Sequence, residues 1–262
     1  MSWKSVGASV IGSSHIKVSK PCQDSHGIQS IDENILLLAV ADGLGSAEHS
    51  EIGSRLAVDT ALTTLAASLA GDSIHIERCH NALQEAFSSA REVLEERALT
   101  ESMDIRDLGT TLICIVLSPE CVACGQIGDG AVVIQQEDES LLLLSSPQRG
   151  EYANETVPLT TNNALEKVRY TAEPLKVKAL AAISDGLQNL ALQGTDYVPH
   201  LQFFMPFFNL LHNSSNLEET QKKIEEFLAS ERVLNRTDDD KTLVIAVLDQ
   251  SDEIDTLQIQ IE

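Results

Sequence analysis

The stretch NILLLAVADGLGSAEHSEIGSRLAVDTA, residues 34–61, decides the fold. It opens as an apolar run, NILLLAVA, and stops at Asp42. Glycines follow at 43 and 45, and then a helical pattern begins. Val58, Leu62, Leu65 and Leu69 step by four, three and four, which puts them on one helix face. An acid at the tip of a buried strand, with a glycine loop behind it, has to be explained by what that tip does.

Outward from this stretch, the pattern predicts a second helix, since Leu83, Phe87, Ala90 and Leu94 repeat the same spacing. Strands are expected over 6–11, 35–41, 111–117, 122–127, 131–135 and 141–144. The short pieces SPE, GDG and QEDE between them read as hairpin turns, so pairing should be antiparallel. Strand, strand, two helices and a meander do not form a repeating βαβ unit. Residues 145–163 carry no period and read as a long loop, the candidate for substrate selection. Strand patterns return at 177–183 and 243–248, with the Phe-rich run LQFFMPFFNLL (201–211), read as core or a covered apolar patch, and a helix over 217–228 between them. No linker or repeat divides the chain, so one domain over 1–262 is expected.

Composition narrows the functions. The chain has 40 acidic against 18 basic residues and a net charge of −22, which repels phosphate backbones and excludes nucleic acid as a partner. No apolar stretch approaches a membrane span, and MSWKSVGASV has no signal-peptide layout. Five cysteines in no framework spacing fit a reducing, cytoplasmic setting. Cys121 and Cys124 form C-x-x-C, but within a strand pattern they point to opposite faces and read as core. Cys22 reads as packing too, and His75, Cys79 and His80 read as a helix face without a fourth ligand.

Other strands end as the first does. VACGQIGD reaches Asp129, VKALAAISD reaches Asp185, TDDDKTLVIAVL sets Asp238, Asp239 and Asp240 before a strand, and KPCQDS offers Asp24. Asp-Gly is a common turn, so one such acid decides nothing. Several acids converging at buried strand tips would repel one another in a partly desolvated site. A divalent cation resolves that conflict, and oxygen ligands without clustered His or Cys favour magnesium or manganese over zinc.

These residues carry a resemblance. GSSHIKVSKPCQDS, ADGLGSA with GSRLAVDTA, LGTTL, GQIGDGAVV, GEYANET, AISDGL and DDDKTLVIAV occur in register. In these the chain resembles the metal-dependent serine/threonine protein phosphatases of type 2C, more closely their bacterial branch, over residues 7–248. The resemblance implies an α+β fold, a four-layer αββα sandwich with two central antiparallel sheets, a helix pair outside each, and the metal centre at one end. It implies two ions, Mn2+ or Mg2+, with a weaker third. Asp42 would bridge the pair, Gly43 would offer its carbonyl, and Asp185 and Asp239 would complete the catalytic carboxylates. Asp24 matches an acidic position of the first motif, and Asp129 matches the acid at the third ion. Asp238 and Asp240 are the alternatives to Asp239.

The implied reaction is hydrolysis of phosphoserine or phosphothreonine by a hydroxide held between two ions. Its implied partners are phosphorylated proteins and a cognate serine/threonine kinase, met by a monomer. The chain departs from the pattern at Ser19, where many members have a phosphate-gripping arginine. His15, Lys17 and Lys20 are the nearby substitutes. Leu44 stands where some members have a histidine acid, and Gln23 where a glutamate is common. Two other readings stand beside the enzyme: a non-catalytic phosphoprotein-binding module on the same fold, and a hydrolase of small phosphate esters.

Overall fold

Apolar runs such as LLLAVA need cover on both faces of the strand, and the arrangement of layers provides it. The computed structural model describes residues 2–71, 74–148 and 156–249. In chain order its elements are β1 (Ser2–Val10), α1 (Ser13–Lys17), β2 (Ser25–Ser30), β3 (Leu36–Ala41), α2 (Ser50–Leu69) and α3 (Ile76–Glu101). The meander follows as β4 (Leu112–Leu117), β5 (Val122–Ile127), β6 (Ala131–Gln135) and β7 (Leu141–Ser145). Then come α4 (Ala164–Lys167), β8 (Arg169–Glu173), β9 (Ala179–Ile183), α5 (Gln188–Ala191), β10 (Leu192–Gln193) and β11 (Val198–Pro199). The last are α6 (Leu201–His212), α7 (Leu217–Leu228), α8 (Glu231–Leu234) and β12 (Lys241–Asp249).

Two five-stranded antiparallel sheets result, ordered β1-β12-β9-β6-β7 and β2-β3-β4-β5-β8. β3 shows how the layers are held. Its Leu37, Ala39 and Ala41 join the helix-side core with Leu65 of α2 and Phe87 of α3. Its Leu36, Leu38 and Val40 face the other sheet, against Val132, Leu180 and Val244. The far face of the first sheet is covered by α6 and α7 through Phe204, Phe208, Ile224 and Leu228. The order is therefore helices, sheet, sheet, helices, as expected. Burying one Leu or Phe side chain contributes about 1.5–3 kcal/mol, so the three apolar interfaces dominate stability.

The expected helix faces are all buried. The Phe-rich run is α6, core as read, with Pro206 inside the helix. β2 and β8 were not legible as strands. Both lie at edges of the second sheet, half solvated, and so carry mixed sequences, SHGIQS and RYTAE. β1 likewise begins earlier than its apolar part, at Ser2. SPE and QEDE do turn hairpins, but GDG does not. β5 and β6 belong to different sheets, and residues 128–130 carry the chain from one to the other. That crossing sets Asp129 between the sheets. In the long loop, residues 149–155, including most of GEYANET, lie outside the described residues.

Candidate metal centre

Antiparallel pairing brings the acids to one end of the sandwich. In the second sheet, the end of β3 lies beside the start of β2, with Ala41 opposite Ser25. In the first, the end of β9 lies beside the starts of β12 and β6, with Ile183 opposite Leu243 and Ala131. Asp42, Asp129 and Asp185 thus extend from the ends of β3, β5 and β9, and Asp24 and Asp239 precede β2 and β12.

One carboxylate oxygen each from Asp42, Asp129 and Asp185 lies within 4.8 Å of the others. The backbone fixes these positions. Asp42 N–H donates to Thr111 Oγ1 at 2.9 Å, and its carbonyl accepts from Thr111 N–H at 2.8 Å. Gln188 donates to the Asp129 carbonyl, and the Thr156 hydroxyl donates to its carboxylate. Gly43 is required by packing. A Cβ there would stand 2.7 Å from Gln23 O and 2.8 Å from Ser50 O.

The triad is electrostatically overloaded. Burial, then the charges of Asp24 and Asp185, holds Asp42 well above the usual carboxylate range. Burial raises Asp185 to about 6 against a hydrogen bond from Asp42, with Asp129 and Asp239 adding to it. Burial also raises Asp129, against the Thr156 hydrogen bond. Asp24 lies behind the triad, 6% exposed, and burial raises it to about 7 although Ser184 Oγ and Thr242 Oγ1 each donate to its Oδ2 at 2.7 Å. Asp24 Oδ1 and Asp185 Oδ1 are buried without a hydrogen-bond partner among the described residues. Crowded, all-oxygen acceptors, two of them without a partner, fit a hard divalent cation.

Asp239 stands outside the triad, exposed at its mouth, yet near enough that its charge raises both Asp129 and Asp185. Asp240 points the other way. Its Oδ1 accepts from Gly12 N–H at 2.6 Å and its Oδ2 from Gln23 N–H at 2.5 Å, clasping the segment before β2 to the start of β12. His15 Nδ1 lies 3.0 Å from the same Oδ2, so this histidine packs on the clasp, 8% exposed. Lys17 is exposed, and Lys20 Nζ donates to Gly45 O at 2.9 Å. Lys241, fully buried, donates from Nζ to Ile11 O at 3.2 Å and Asp239 O at 3.1 Å. Its position gave no signal in the sequence, because only the tertiary fold shows a Lys in a strand turned under the acids.

A cleft of about 860 Å³ adjoins the triad, lined by Leu44, Gly45, Ser46, Arg106, Thr156 and Asn162 among others. It abuts the acids at Thr156 and at Leu44, the residues touching Asp129 and following Asp42-Gly43.

A family model described as Protein phosphatase 2C matches residues 11–229. Serine/threonine-protein phosphatase 3 of Escherichia coli (strain K12) is 34% identical over 253 residues, covering 94% of this chain and 99% of that protein. The fold is similar to that of the serine/threonine phosphatase Stp1 of Staphylococcus aureus, at TM-score 0.65 and 18% identity over 95% of this chain and 96% of that one. It is similar also to the catalytic domain of the serine/threonine protein phosphatase PstP, solved with 2 manganese ions, at TM-score 0.60 and 19% identity over 95% of this chain and 99% of that one.

Proposed function

The chain belongs to the protein phosphatase 2C family, and we propose that it hydrolyses phosphoserine and phosphothreonine in proteins at Asp42, Asp129 and Asp185. The carrying observation is the triad of half-buried carboxylate oxygens within 4.8 Å, with Asp42 and Asp129 pinned by hydrogen bonds. Divalent ions held there, manganese or magnesium, would neutralise phosphate charge and supply an acidified water. We assign them to Asp42, Asp129 and Asp185, with Asp239 at the mouth, the Gly43 carbonyl alongside Asp42, and Asp24 behind.

The chain's own residues do the positioning. Thr111 fixes the Asp42 peptide, and Thr156 and Gln188 fix Asp129. The Asp240 clasp and Lys241 fix the loop that carries Asp239. Lys20, held on Gly45 O beside the cleft, is the cation we assign to the substrate phosphate in place of the absent arginine. His15 sits against Asp240 and supports the α1 turn. The phosphorylated segment lies along the cleft, where Leu44 offers no proton and leaves departure of the alcohol to solvent. No described helix is long and apolar enough to cross a membrane.

The test is phosphate release from a phosphothreonine peptide and from a small phosphate ester, side by side, with millimolar manganese and then with chelator. Chelator-sensitive release from the peptide supports the reading. Release from the small ester alone moves the substrate class to metabolites. No release from either with metal bound supports the non-catalytic module, which the intact acids oppose.

A further inference from the structure

Cys121 and Cys124 are split by the strand, as their spacing predicts: Cys121 joins the helix-side core and Cys124 the core between the sheets. Cys121 has a different neighbour. Its Sγ lies 3.9 Å from Sγ of Cys79, a residue 42 positions earlier in the first turn of α3. Both are free thiols. The backbone holds them facing each other. Cys79 N–H donates to His75 O at 3.0 Å, and Cys121 N–H donates to Ser118 Oγ at 3.1 Å in the β4–β5 turn. Ser118 Oγ also stands 3.3 Å from Cys121 Sγ and donates to Cys121 O at 3.2 Å, so a turn of its one proton brings it onto the sulfur. Closing from 3.9 Å to a bond of about 2.05 Å needs side-chain rotation, with neither element moved far.

We propose that Cys79 and Cys121 are a peroxide-reactive dithiol that closes to a reversible disulfide, stapling α3 to the second sheet at the end away from the acids. The step balances with hydrogen peroxide as the oxidant. The Cys121 thiolate attacks one peroxide oxygen, the O–O bond breaks, and the hydroxide that leaves takes a proton to become water. The Cys79 sulfur then attacks the Cys121 sulfenic sulfur, and the second hydroxide leaves with the Cys79 proton as water. Two thiols lose one electron each, and the peroxide gains two.

The surroundings favour this pair over the other cysteines. The contact with the Cys79 thiol lowers the Cys121 thiol, with Ser118 helping against burial, while Cys79 is raised by the same contact. Burial pushes Cys22 and Cys124 up to about 12, and Cys114 well above its ordinary value. Cys121 is 3% exposed but follows the exposed Glu120 at a hairpin turn, where a small local opening admits a water-sized oxidant.

The test treats the reduced full chain with hydrogen peroxide, stops it with catalase, and alkylates in denaturant. The expected result is a mass lower by about 2 Da, three alkylated thiols where five were free, and tryptic peptides 79–91 and 107–149 linked, with fragmentation placing the second sulfur at Cys121 and alkyl groups on Cys114 and Cys124. Dithiothreitol restores five. The oxidised protein should melt roughly 5–15 °C higher, as expected for closing a loop of this length, and Cys79→Ser should lose that gain. Five thiols remaining after peroxide, a linked pair of other cysteines, or Cys121 carried to the sulfinic acid with Cys79 free would each overturn the proposal. The measurement is made on the native sequence, so it does not depend on a variant folding.

Discussion

Asp185→Asn separates what this acid costs the metal-free fold from what it contributes with metal. Burial first, then Asp129 and Asp239, raises the Asp185 carboxyl from 3.8 to about 6. Each unit is about 1.4 kcal/mol, so keeping this group ionised well above pH 6 costs the fold on the order of 3 kcal/mol. A carboxyl raised in the folded state holds its proton more tightly folded than unfolded. Its stability is present in full below about pH 4 and is lost as pH rises through about 6. Asparagine has the same shape and no charge, Asp185 Oδ1 has no hydrogen-bond partner to lose, and the amide oxygen can still accept from Asp42. In chelator at pH 8 the variant should be more stable than wild type by about 1–3 kcal/mol, a melting rise of about 3–8 °C for a chain of this size. Near pH 4.5 the difference should shrink towards zero. With millimolar manganese the variant's advantage should be offset, since ligand at about 100 times Kd adds about 2.7 kcal/mol to the protein that binds it. Circular dichroism melts at two pH values, with chelator and with manganese, read all four corners. A variant less stable than wild type in chelator at pH 8, or a difference that ignores pH, would refute the reasoning.

Asp240→Ala should destabilise by about 3–5 kcal/mol in urea titration, because it orphans the N–H groups of Gly12 and Gln23 in a buried site, and Asp240→Asn should lose less. Gly186→Ala places a Cβ 1.9 Å from Asp240 O, so the backbone next to Asp185 must shift; phosphate release should fall at least about tenfold with the circular dichroism spectrum kept. Lys241→Met removes the donor to Ile11 O and Asp239 O at a fully buried position, and should destabilise by about 1–3 kcal/mol; an unchanged melting temperature would show the ammonium to be idle.

How far the sequence reads depends on how local the cause is. Strands covered on both faces announce themselves as apolar runs, and their abrupt stops at Asp42, Asp129 and Asp185 marked the tips that converge. Edge strands β2 and β8 carry no such run, because one side meets water. The Gly-Asp-Gly crossing between sheets looks like a hairpin turn in sequence, since the residues that turn a chain are the same whichever sheet it enters. The Asp240 clasp joins residues 228 and 217 positions apart, and no spacing rule reaches that far. The contact of His15 with Asp240 is equally beyond the reach of spacing, since it forms only when the α1 turn meets the start of β12. The pairing of Cys79 with Cys121 is long-range in the same way, visible only once α3 lies on β5.

The central claim is that Asp42, Asp129 and Asp185 form one divalent-ion site on which phosphate release depends. The measurement that tests it most directly is a manganese titration followed by electron paramagnetic resonance, on wild type and Asp42→Asn, with phosphothreonine-peptide turnover read in the same samples. The account predicts that wild type binds manganese and turns over in proportion to the ion bound, while a folded Asp42→Asn loses at least about tenfold in affinity and its turnover with it. Equal manganese binding and equal turnover in the folded variant would contradict it.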